Sequence, residues 1–175
     1  MKTTINAILR FCMIPAVLTA MIAAAAIAQP VQIPLSNGTQ RPKPTRDITA
    51  TGDFRIVGAT QTFGVNYGGT ITLKTSDLNF VASTKKYSMN MVYTMTNNGN
   101  AGTGLFNNRL ADNGVGISGV TGQSLNAGQT KAVTHSKVQL SEGTHVITLM
   151  LDDANSCAET DEGNNTFKVT VVIVP

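Results

Sequence analysis

From residue 45 to residue 174 the chain contains no proline. Proline cannot donate to a strand ladder, so paired strands exclude it from their interiors. Here the proline-free interval coincides with apolar residues spaced two apart. In the segment 87–96, Tyr87, Met89, Met91, Tyr93 and Met95 occupy every odd position, and the even positions are mostly polar. Such alternation predicts a strand with one buried face. Phe167, Val169, Val171 and Ile173 repeat the pattern, as do Ile147, Leu149 and Leu151. Ile71/Leu73, Leu78/Phe80 and Val138/Leu140 are shorter candidates, and Phe54 to Val57 is another. Turn signals separate these segments at 97–100, Asn113-Gly114, Ala127-Gly128 and Glu142-Gly143. Hydrophobic residues make up 42% of the chain and charged ones 13%, too apolar a balance for a disordered polymer. The pattern predicts an all-β fold, an antiparallel β-sandwich in which each sheet buries one face against the other.

The N-terminal third is different. Lys2 and Arg10 precede an uncharged run of 18 residues, Phe11 to Ala28, ending in Ala26-Ile27-Ala28. A positive start, an apolar run and a small-x-small ending predict a secretory signal peptide over residues 1–28, with a signal helix. Removing it takes Lys2 and Arg10 from the 13 basic residues, leaving 11 against 10 acids, so the net charge of +3 falls to +1. No stable membrane span is expected after cleavage. Residues 29–49, with Pro30, Pro34, Pro42 and Pro44, read as a semi-rigid linker. Residues 50–75 read as a β extension, either adding to a sheet edge or forming an extended arm, with Asn66 to Gly69 as a turn. Residues 76–175 hold the sandwich.

The most distinctive stretch precedes the last strand. Asp152, Asn155, Glu159, Asp161, Glu162, Asn164 and Asn165 follow the order D-x-x-N-x-hydrophobic-x-E-x-(N/D)-E-x-N-N. This resembles the signature of the bacterial cell-adhesion-related domain family, CARDB. The strand ending in Asn97-Asn98-Gly99, the segment Leu125 to Gly128 and the segment Gly143 to Ile147 follow in the family's order. The resemblance covers about residues 76–174. It implies an immunoglobulin-like sandwich of about seven strands on an exported or surface protein, and no single activity. Cys157 departs from it, standing where the family has an aliphatic residue. A buried thiol packs like a small hydrophobe, so the position is expected to face the core.

Five of the chain's ten acids lie between Asp152 and Glu162. Asn and Asp side chains bond nearby backbone groups, which gives the loop a purely structural use for them. Carboxylates with amide oxygens also suit Ca²⁺, which takes six to eight oxygen ligands. The candidate ligands are Asp152, Asn155, Glu159, Asp161 and Glu162.

The histidines, His135 and His145, fit no zinc spacing and are expected on strand surfaces. No nucleophile elbow or phosphate loop occurs, and Gly99 to Gly104 reads as a strand-to-strand loop. A net charge of +1 gives no support for nucleic acid. The expectation is a non-catalytic binding or adhesion module of the cell envelope or exterior, taking a protein or glycan partner. The alternative is a structural subunit of a surface assembly. It would self-associate by adding Phe54, Ile56 and Val57 of the arm to a neighbouring copy.

Overall fold

The computed structural model describes residues 42–175; the expected signal peptide and most of the linker lie outside them. Ten strands form two sheets. The first sheet holds β1 (Ile48–Val57), β2 (Thr62–Val65), β4 (Asn79–Val81), β5 (Lys86–Asn97) and β8 (Thr130–Leu140). The second runs in the order β3 (Thr70–Lys74), β10 (Thr166–Val174), β9 (Gly143–Met150), β6 (Phe106–Asp112), β7 (Val115–Gln123). Among the described residues the only helical pieces are 3₁₀ turns at Thr75–Asp77 and Glu162–Asn164.

The alternation read in the sequence selects the buried face. Met89, Met91, Tyr93 and Met95 of β5 meet Ile147 and Leu149 of β9 and Val169, Val171 and Ile173 of β10 in one core, each at 2% exposure or less. Burying a side chain of this size stabilises the fold by about 1.5–3 kcal/mol relative to leaving it exposed. Seven of the ten strands, β4 to β10, fall within residues 76–175, which accounts for the count of about seven.

The remaining three strands come from the segment left open between a sheet edge and an arm. β1 lies between β2 and β5, antiparallel to both, and Phe54 and Ile56 are core residues at 1% and 0% exposure. Within this chain the segment is thus a strand of the sandwich rather than a free arm. A bulge between Thr51 and Arg55 lets β1 follow the twist of β5, and Gly52 supplies the positive φ of 71°. β3 joins the edge of the second sheet parallel to β10, so that sheet is mixed rather than wholly antiparallel.

Residues 42–47, the end of the expected linker, are fastened to the sandwich. Thr45 N–H donates to Asn100 Oδ1 at 2.7 Å, and Ala101 N–H donates to the Thr45 carbonyl at 3.0 Å. Gly99 permits this approach, because a Cβ there would lie 2.3 Å from the Thr45 oxygen.

Candidate functional site

The signature loop runs from the end of β9 to the start of β10. Leu151 and Cys157 point into the core at 2% exposure each, so the thiol packs as a small hydrophobe. Between them Asp152 turns the chain with a φ of 44°. Its carboxylate accepts the Ser156 N–H at 2.9 Å and the Cys157 N–H at 2.7 Å. Asp152 is 4% exposed, and its bond to Cys157 is buried where water cannot replace it, while the bond to Ser156 is partly buried.

Glu159 reaches farther. One carboxylate oxygen accepts the N–H of Ile48, the first residue of β1, and the other accepts from Asn165 Nδ2 at 2.9 Å. Burial, partly offset by these two bonds and reinforced by the nearby Glu162 and Asp152, pushes its pKa up to about 7. The loop holds the N-terminal segment at other points as well. Thr160 N–H donates to the Arg46 carbonyl at 2.7 Å, and Asn164 Nδ2 donates to Asp47 at 2.8 Å.

Of the other expected ligands, Asn155 and Glu162 line a hollow beside Asp152, and Asp161 lies outside it. Asp161 caps the 3₁₀ turn through Gly163 N–H at 2.8 Å. Glu162 accepts the Glu159 N–H at 2.8 Å, and the Asn155 side-chain amide lies beside its carboxylate, 3.1 Å away in the orientation that lets the amide nitrogen donate. Of the five candidates the fold groups Asp152 and Glu159, and it adds Cys157. One ligand atom from each lies within 4.8 Å of the others. Burial and the carboxylates of Glu159 and Asp152 raise the pKa of the Cys157 thiol.

Both histidines are buried, at 1% and 7% exposure, which corrects their expected place on strand surfaces. Each has polar partners that strand alternation does not reveal. His145 Nδ1 lies 2.7 Å from Asp112 Oδ2, and its Nε2 lies 3.0 Å from the Ser141 carbonyl. His135 bridges the sheets: Nδ1 is 2.9 Å from Ser118 Oγ, and Nε2 is 3.5 Å from the Tyr93 hydroxyl. Asn108 Nδ2 donates to that hydroxyl at 2.7 Å, while Asn108 Oδ1 accepts the Asp152 N–H at 3.2 Å. One buried polar chain thus connects His135 to the signature loop. Burial without a charged partner lowers the His135 pKa to about 4.

A groove of about 380 Å³ lies over β6 and β7. Asn107, Arg109, Thr121 and Asp153 line it, with Gly116 and Gly119. Arg109 and Gly119 are cross-strand partners, so a long side chain stands opposite none and leaves a hollow. Arg109 Nε and Asp153 Oδ2 stand 3.7 Å apart, beyond hydrogen-bond reach. Asn107 Oδ1 accepts the Gly122 N–H at 3.1 Å, which leaves its amide nitrogen as the donor for a ligand. Neither the strands nor their pairing was read from the sequence, so the groove was not foreseen.

No curated protein matches the chain. Among solved structures, the CARDB domain of a Pyrococcus furiosus protein, described in complex with di-metal ions, is 21% identical. That alignment covers 77% of this chain and 100% of the other, with a TM-score of 0.49. The 272–376 domain of a Methanosarcina acetivorans protein, described as a candidate cell surface protein, is 20% identical. It covers 74% of this chain and 93% of its own, with a TM-score of 0.49. The CARDB family model matches residues 70–169, more than half of the 175-residue chain and including the signature loop, and the chain belongs to the CARDB family.

Proposed function

We propose that the chain is an exported, non-catalytic binding module of the cell envelope or exterior, and that the groove over β6 and β7 is its binding surface. The groove carries this reading. Donors and acceptors from β6, β7 and the loop after β9 converge there on a rigid sheet, whereas Asp152, Asp161 and Glu162 are spent on backbone N–H groups. Binding side chains placed on regular strands are held more firmly than those on loops. A pull-down from cell-envelope fractions tests it. Capture by the native chain and loss of capture by Arg109→Ala supports the reading; equal capture by both overturns it.

Calcium at the signature loop belongs to the same proposal. Asp152 and Glu159 would supply the inner carboxylates, and Asn155, Asp161 and Glu162 would have to turn inward from their present partners. A cation would offset the burial and, secondarily, the neighbouring acid charge that raise Glu159. Thermal melts in EGTA and in millimolar Ca²⁺ measure this, and an unchanged midpoint rules it out.

A further inference from the structure

We propose that the groove over β6 and β7 is a saccharide site, in which Asp153, Arg109, Asn107 and Thr121 bond ring hydroxyls over a floor of Gly116 and Gly119. The inference rests on the binding-module reading and names the partner's chemistry.

Charge narrows the ligand first. Arg109 and Asp153 give the groove one positive and one negative group, half-exposed and about one-fifth exposed respectively. An anion meets the carboxylate of Asp153, and a cation meets the guanidinium of Arg109. A neutral ligand that both donates and accepts satisfies the two together. Sugar hydroxyls do this: each carries one donor and two acceptor sites. Vicinal hydroxyls can place a donor on Asp153 and an acceptor on Arg109, whose present 3.7 Å separation leaves both with unspent capacity. The Asn107 amide nitrogen, whose oxygen is held by Gly122 N–H, adds a donor. Thr121, exposed on β7, adds a hydroxyl that can act either way.

The floor supports the same assignment. Gly116 and Gly119 put no side chain between the ligand and the sheet backbone, so a ring can lie flat against it. A volume near 380 Å³ accommodates one or two sugar rings. A peptide ligand needs apolar pockets for alternate side chains, and no large apolar side chain lines this groove.

Gly119 gives a direct test. A Cβ built there meets nothing closer than 3.8 Å, in ordinary contact with the Asn108 carbonyl, and the backbone is not in the left-handed region. Gly119→Phe therefore fills the groove without a backbone clash. The full chain and the variants Gly119→Phe and Asp153→Asn are applied to an array of neutral oligosaccharides and, separately, to envelope protein fractions. The expected result is retention of the native chain on at least one oligosaccharide, no retention of Gly119→Phe, and retention weakened about tenfold or more for Asp153→Asn. Equal thermal midpoints show that the variants are folded; if Gly119→Phe unfolds, Asp153→Asn decides alone. Saccharide binding that survives both substitutions overturns the proposal. An array that stays silent while an envelope protein is captured also overturns it, but leaves the binding-module reading standing. Silence in both assays removes both.

Discussion

The carboxylate of Asp152 holds the backbone N–H of Cys157 at 2.7 Å, at the point where the chain leaves β9 and re-enters the core. The same carboxylate takes the Ser156 N–H, and the residue sits at positive φ. Asp152→Ala strands two donors and places an alanine in the left-handed region. Leaving the buried Cys157 N–H unpaired costs about 1–3 kcal/mol, the partly exposed Ser156 N–H less than about 1, and the backbone about 1 more. The expected loss is about 2–5 kcal/mol in denaturant unfolding. Asp152→Asn keeps one acceptor and tolerates the turn, so about half that loss is expected. Equal midpoints for native chain and Asp152→Ala would contradict this.

Asn108 connects that loop to the centre of the sandwich. It is 1% exposed, donates to Tyr93 and accepts from Asp152. Asn108→Leu leaves the Asp152 N–H unpaired and removes the Tyr93 hydroxyl's donor, at an expected cost of about 2–4 kcal/mol. Because both residues belong to one network, the double variant Asn108→Leu/Asp152→Ala is expected to lose less than the two losses added. Strict additivity in a double-mutant cycle would show that the two bonds act independently.

The Cys157 thiol is expected to resist modification in the folded chain. It is 2% exposed, and its burial and the flanking acids disfavour the reactive thiolate. Labelling with a disulfide reagent at neutral pH should proceed only at the rate of unfolding and accelerate with denaturant. Cys157→Val, an apolar replacement of similar volume, should cost less than about 1.5 kcal/mol. Rapid labelling without denaturant would place the thiol at the surface.

How far the sequence could be read follows from which residues keep the two-residue period. β5, β9 and β10 keep it, with large apolar side chains at the inward positions apart from Asn97 and His145, and their faces were legible. β6 breaks it: inward Asn108 is polar, and a bulge after Leu110 buries Ala111 beside it. β7 dilutes it with Gly116, Gly119 and Gly122. The groove between those two strands was hidden for that reason. Within the signature loop, clustered acids were visible, but their partners were not. Glu159 bonds Ile48 across 111 positions of chain, a separation no local pattern reports. Local spacing likewise said nothing of the acceptor and hydroxyls that make burial of His145 and His135 tolerable.

Glu159 and His135 should impose opposite pH dependences that mask one another. Glu159 has its pKa raised from 4.5 to about 7 in the folded chain, chiefly by burial. Between those values the folded state holds the proton more tightly than the unfolded one, so stability falls as pH rises from about 4.5 to about 7. His135 has its pKa lowered from 6.5 to about 4, also by burial. There the unfolded state binds the proton first, so stability rises as pH goes from about 4 to about 6.5. Where the two windows overlap the contributions oppose each other. Glu159→Gln removes the falling component and keeps one acceptor for Ile48, while the buried Asn165 Oδ1, without a partner, can receive the new amide. Relative to the native chain, Glu159→Gln should therefore gain stability as pH rises from 4.5 to 7. His135→Gln should lose relative stability as pH rises from 4 to 6.5. Denaturant midpoints at half-unit pH intervals, with unchanged m-values, measure both. Parallel pH profiles for the native chain and both variants would show that neither residue changes its proton affinity on folding.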